Sequence, residues 1–245
     1  MASYDVQIVD YEGTGSVKLL FIHGSGGSGL VWKYQLEHFP DAAAVTLPGR
    51  PDGEACKTIP EACAWLKHQV DANGWQDLVL VGHSYGGGIA LQYALDYPDD
   101  VKGLILVGSG GRLRVHPDTL KMMADMVDEP EAYPDTLDDA YQLVDAEFAA
   151  QLKAQAAVQG PAAALADLTA CDEFDVMSRL GEINIATHAI VGTDDVMTPP
   201  KYSEFLVKSM ASADMTLIEG GTHFVFAEQP DAVNQAINAF CDSLS

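Results

Sequence analysis

Basic residues are what this chain has least of: 13 lysines and arginines stand against 36 aspartates and glutamates, for a formal net charge of −23. Phosphate backbones and anionic lipid head groups are held by clustered Lys and Arg. Nucleic acid and membrane surfaces are therefore not expected as partners. Cysteine is also sparse. Cys56, Cys63, Cys171 and Cys241 lie scattered, with no C-x-x-C pair and no following set of histidines. That spacing gives no structural zinc site and no disulfide framework, and reduced thiols are expected, with a Cys56–Cys63 bridge the less favoured alternative. Long apolar runs are missing too. Leu19-Leu20-Phe21-Ile22 and Leu104-Ile105-Leu106-Val107 are strand-sized, far short of a membrane span. Met1-Ala2-Ser3-Tyr4-Asp5 has no basic stretch leading into an apolar one, so no secretory leader is expected and the expected location is cytoplasmic. Neither an H-E-x-x-H pair nor a comparable ligand set occurs, so no metal and no cofactor is expected.

What is present is a globular composition, 48% hydrophobic over 245 residues, enough chain for a sizeable core. Short apolar runs alternate with amphipathic stretches, which predicts an α/β fold with a mostly parallel sheet flanked by helices. Strands are expected at 17–22, 43–47, 78–81, 101–107, 189–191 and 215–218, with 4–12 pairing to 17–22 as an edge hairpin. Helical spacing covers 59–72, 87–97, 200–210 and 231–243. Residues 112–181 break the alternation: helical, Ala-rich and acidic, they carry fourteen acidic and five basic residues and no strand pattern. Such a length exceeds an ordinary loop. The chain therefore reads as one domain, 1–245, with 112–181 inserted as a helical cap, the acidic run being a solvated face.

The chemistry is carried by Gly82-His83-Ser84-Tyr85-Gly86, a G-x-S-x-G sequence between an apolar strand and a helix. A nucleophile on so tight a turn tolerates only small residues two positions before and after it, and its hydroxyl projects from the sheet edge. Serine needs a base, and the base an orienting carboxylate. His223 lies in a Gly-rich loop after the last strand, and Asp194 and Asp195 follow the strand before it. Both carboxylates thus fall at a strand's C-terminal end, where open α/β sheets bind ligands. The chain order is serine, acid, histidine.

These residues resemble the α/β-hydrolase family, and the likeness runs from Phe21-Ile22-His23-Gly24 to Phe224-Val225-Phe226-Ala227-Glu228-Gln229-Pro230. The G-x-x-D-x-x-x-P stretch that carries the family's acid falls on Gly192, Asp195 and Pro199, so the resemblance selects Asp195 over Asp194. Thr222 stands where the family more often has glycine before the histidine. By the same resemblance the backbone N–H of Tyr85 and that of Ser25, in the His-Gly loop, form the oxyanion hole. Gly26, Trp32, Ser109 and Phe224 adjoin the strand ends and are candidate pocket residues. His83 is expected to pack behind Ser84, His23 to be a structural turn residue, and His188 to stand at a strand entrance. His38, His68 and His116 are expected at the surface.

A second glycine pattern, Gly24-x-Gly26-x-x-Gly29, matches a dinucleotide fingerprint. The position for its acidic ribose ligand reads Leu47-Pro48-Gly49-Arg50, no matching βαβ unit is expected there, and the nucleotide reading is set aside. The resemblance implies a serine hydrolase acting on a small carboxylic ester or lactone. Thioesters, or C–C bonds of the meta-cleavage type, are alternatives for the same triad, and a triad-bearing small-ligand receptor is a further one. An acidic cap disfavours polyanionic thioesters. A monomer or homodimer is expected.

Overall fold

The computed structural model describes residues 18–50 and 53–244. Six parallel strands form one sheet in the order β2-β1-β3-β4-β5-β6. Along the chain β1 is Lys18–Ile22, α1 Lys33–His38, β2 Ala43–Val45, α2 Ile59–Ala72, β3 Leu78–His83 and α3 Tyr85–Asp96. Then come β4 Val101–Val107, the helices α4 Pro117–Asp128, α5 Ala146–Gln159 and α6 Pro161–Glu173, and β5 Ala186–Gly192. The chain closes with α7 Lys201–Ser209, β6 Ala213–Ile218, α8 Val225–Glu228 and α9 Pro230–Ser243. The expected 4–12 hairpin partner of β1 lies outside the described residues.

The central strands are apolar almost without a break because both their faces are covered. Leu20, Ile22, Leu78, Leu80, Leu104 and Leu106 point to a core closed by α2, α3 and α7. Their alternates Leu19, Phe21, Val79, Val81, Ile105 and Val107 point the other way, against Val233, Ile237 and Phe240 of α9. Period-two alternation thus assigns each side chain to one layer. At the edge, β6 is mostly exposed or half-buried, as a strand paired on one side only allows.

Between β4 and β5 the described chain is helical. It runs through α4, a 3-10 stretch at Pro130–Leu137, α5, α6 and a 3-10 turn at Met177–Glu182. Every acidic residue from 125 to 147 is exposed, while Tyr133, Tyr141, Phe148 and Leu152 are buried beneath. Two placements depart from the sequence reading. His188 sits inside β5, its ring bonded to Asp214 and Thr216 of β6, because the strand begins three residues earlier than its apolar run. And β1, α1 and β2 do form a parallel βαβ unit, hidden in the sequence because α1 is only six residues long.

No helix among the described residues is long and apolar enough to cross a membrane. The four cysteines are free, so no Cys56–Cys63 bridge is formed.

Candidate active site

β3 ends at His83, and α3 begins at Tyr85, so Ser84 alone makes the turn. It does so with φ 50° and ψ −113°, a left-handed backbone that typically costs a non-glycine residue about 1–3 kcal/mol. The flanking glycines explain how the turn is tolerated. A Cβ at Gly82 would run into the Gly86 carbonyl, and one at Gly86 into the Ile22 carbonyl of β1. The strain is held from below: Ser84 N–H donates to the Val107 carbonyl at 3.0 Å, and the Ser109 hydroxyl donates to the Ser84 carbonyl at 2.8 Å. Of residues 81–90, Ser84 alone is not fully buried.

The carboxylate and the imidazole arrive from β5 and β6. His223 Nδ1 donates to Asp195 Oδ2 at 2.9 Å. The same oxygen accepts the Thr198 hydroxyl at 2.8 Å, and Oδ1 accepts the N–H groups of Met197 at 2.9 Å and Thr198 at 2.8 Å. Burial alone would raise the Asp195 pKa, but the bond to His223, its charge and the Thr198 donors outweigh it and hold the carboxyl at about 2. Asp194, by contrast, is exposed, and its carboxylate accepts the hydroxyl of the adjacent Thr193. With Nδ1–H committed to Asp195, the imidazole presents Nε2 as its free basic nitrogen. Gly108, at φ +51°, passes so close beneath that a Cβ there would lie 3.1 Å from Asp195 Oδ2.

His83 ties this pair to the serine turn. Its Nε2–H donates to the His223 carbonyl at 2.9 Å, so the imidazole loop is anchored to the residue directly before Ser84. His83 is fully enclosed, and burial together with the neighbouring His223 pushes its pKa well down, leaving it neutral. His23, at the end of β1, is likewise neutral, held near 3 by burial and by the charge of Arg50. It donates from Nδ1 to the Gly24 carbonyl at 2.7 Å and accepts the Leu47 N–H at Nε2, 3.1 Å away. His38, His68 and His116 are exposed.

Ser25 and Gly26 sit half-buried in the loop after β1. The N–H of Tyr85 lies in the first turn of α3, where no intrahelical acceptor exists. Phe224 is half-buried and meets the ring of Tyr141, from the helical segment between β4 and β5, edge-on at 4.9 Å. Trp32 and Ser109 lie deeper than Ser25 and Phe224. Trp32 is wholly buried, stacked on Phe21 and Phe226 in the core, and Ser109 braces the serine turn. Both adjoin strand ends, and sequence adjacency does not distinguish the layer under a site from the site itself. Two residues without a sequence signal also reach this region: Thr198, on the Asp195 carboxylate, and Asp167 of α6, a buried residue whose carboxylate pairs with Arg50. Arg50 is thereby taken up inside the protein. Among the described residues no three His, Cys, Asp or Glu side chains gather as a metal site.

A strained serine at the strand–helix turn and a buried Asp–His pair at the same sheet edge define an α/β-hydrolase-type site. The chain belongs to the alpha/beta hydrolase family, whose model matches residues 19–236. Its similarities mark it as a hydrolase. It is 28% identical to RutD from Caulobacter vibrioides, to which a carbamate hydrolase activity is ascribed, over 91% of this chain and 90% of that protein. A solved thermophilic esterase is 27% identical, with a TM-score of 0.78 over 94% of this chain and 91% of that one. An esterase from Exiguobacterium antarcticum shares the fold at 16% identity, with a TM-score of 0.83 over 93% and 92% of the two chains.

Proposed function

We propose that the protein is a serine hydrolase that cleaves a small carboxylic ester or lactone through an acyl-enzyme. The observation that carries this reading is the buried His223–Asp195 bond of 2.9 Å, anchored through His83 to the turn that presents Ser84. Ser84 Oγ attacks the acyl carbon as His223 Nε2 takes its proton. The carbonyl oxygen becomes an oxyanion facing the N–H groups of Tyr85 and Ser25. The tetrahedral intermediate collapses, His223 returns the proton to the leaving alcohol, and water activated by the same imidazole releases the acid. Asp195 holds the imidazole tautomer throughout.

Ester cleavage is favoured over thioester cleavage by the charge of the cap. Residues 112–181 carry fourteen acidic and five basic side chains, and those from 125 to 147 face solvent, so a polyanionic acyl-CoA meets a repelling surface. The 27% identity to a solved esterase supports the same choice. The test is a panel of p-nitrophenyl esters of increasing acyl length, a carbamate ester, acyl-CoA and a dienone, run with the natural chain and Ser84→Ala. Short esters should be the best substrates and Ser84→Ala inert toward all of them. A preference for acyl-CoA at low salt, or for the dienone, would replace the ester reading, and turnover by Ser84→Ala would remove the nucleophile assignment.

A further inference from the structure

The cap reaches the loop after β1 with a buried carboxylate, beside a longer contact of 3.8 Å between Ser25 Oγ and Cys171 Sγ of α6. Asp167 lies midway along α6, whose neighbouring residues are mostly alanine and leucine, and its Oδ2 accepts the Gly26 N–H at 2.9 Å. The same oxygen is paired with Arg50 Nη2, and Arg50 is in turn held through Nη1 by the Pro48 carbonyl at 2.9 Å. The two side chains are only 1% and 2% exposed. A buried ion pair is a poor way to glue a cap, because well-packed apolar residues generally do as well or better. Its presence calls for another reason.

The loop's backbone supplies one. Two peptide groups flank Ser25, and each is fixed by a different part of the molecule. In the first, the Gly24 carbonyl accepts the Gly27 N–H at 3.1 Å and the His23 ring at 2.7 Å, which sets the direction of the Ser25 N–H on the opposite edge of that plane. In the second, the Gly26 N–H is committed to Asp167. Gly26 stands at φ +66°, and a Cβ there would press on Ala164 of α6 at 3.0 Å, so this glycine lets the cap close against the loop. The core thus anchors one side of Ser25 and the cap the other, and among the described residues the Ser25 N–H has no protein acceptor.

We propose that Asp167, held by Arg50, is a positioning residue that completes the oxyanion hole from the cap by fixing the Ser25–Gly26 peptide. The inference rests on the serine-hydrolase reading above. It makes the cap part of the catalytic geometry as well as a cover over it: the hole is fully formed only when α6 is docked.

The experiment compares kcat, KM and the affinity of an alkylboronic acid, whose Ser84 adduct mimics the tetrahedral intermediate, in the natural protein, Asp167→Ala, Asp167→Asn and the double variant Arg50→Met/Asp167→Ala. A misplaced oxyanion donor weakens the transition state but not the ground state. In Asp167→Ala, kcat on a p-nitrophenyl ester should fall by about tenfold to a hundredfold, with KM within about threefold, since small displacements near the chemistry reach that size. Boronate affinity should fall in step with kcat. Asp167→Asn keeps an acceptor for Gly26 and should recover most of kcat. The double variant carries no unpaired buried charge and should show the same loss as Asp167→Ala, which covers the case in which the single variant does not fold. The inference is overturned by a folded Asp167→Ala or double variant with near-natural kcat. It is equally overturned by a loss confined to KM with boronate affinity unchanged, or by Asp167→Asn as impaired as Asp167→Ala. Any of these with Ser84-dependent turnover intact sinks only the role of Asp167, whereas Ser84-independent turnover sinks the reading beneath it.

Discussion

Two adjacent aspartates with the same chemistry have different fates here. Asp195 is 3% exposed and accepts four donors, among them the His223 imidazole, whereas Asp194 faces solvent. Asp195→Asn should therefore lower kcat by about 10³–10⁴-fold, the size seen when a triad acid loses control of the tautomer, while Asp194→Asn should leave it within about twofold. Steady-state kinetics on one aryl ester check both, and equal effects would contradict the assignment. The triad candidates were legible because the G-x-S-x-G turn carries steric requirements that survive in sequence, and because the family resemblance placed the acid at Asp195 in the G-x-x-D-x-x-x-P stretch. Thr198 and Asp167 were not. A threonine after a turn has no signature, and a lone carboxylate on an Ala-rich helix reads as solvent-facing until α6 is seen packed against Gly26.

Elements were legible in proportion to how strongly burial imposes a period. β4 and α2 fall where the pattern predicts, at Val101–Val107 and Ile59–Ala72. β5 extends three residues beyond its apolar run at the start, taking in Ala186, Thr187 and His188, since ladder bonding continues where polar side chains find partners. α1 has only six residues and too few turns to show a period. Capping decides some boundaries: α5 begins after Asp145, whose Oδ1 accepts the N–H groups of Glu147 and Phe148 at 3.0 and 3.1 Å. Removing this cap with Asp145→Ala should destabilise the protein by about 1 kcal/mol, read as a lower urea midpoint. An unchanged midpoint would mean that α5 is held by its packed face alone, through Phe148 and Leu152.

At the scale of the whole molecule, the fold buries neutral imidazoles inside a strongly acidic chain. His23 is held near 3 and His83 well below its ordinary value, while in the unfolded chain both take up a proton near pH 6.5. Their contribution is fully present above that pH and is lost as the pH falls toward 3, because the unfolded state binds more protons over that span. His23 alone should cost about 1.4 kcal/mol at pH 5.5, one unit below its unfolded pKa. Free carboxyl groups ordinarily take up protons at about pH 4, so relief of the −23 charge does not offset the loss until lower pH. Urea midpoints should thus drop between pH 7 and 5.5. A rise over that range would show that charge repulsion, not imidazole burial, governs acid stability. Asp195, held at about 2, adds a further loss as the pH falls through its unfolded value toward 2.

The central claim is that the strained turn presents an activated serine, and covalent labelling tests it most directly. A fluorophosphonate probe should modify the folded protein once, with the adduct on the peptide containing Ser84, and labelling should vanish in Ser84→Ala and fall steeply in His223→Ala. No adduct on the folded natural chain, or an adduct on another residue that persists in Ser84→Ala, would contradict the account.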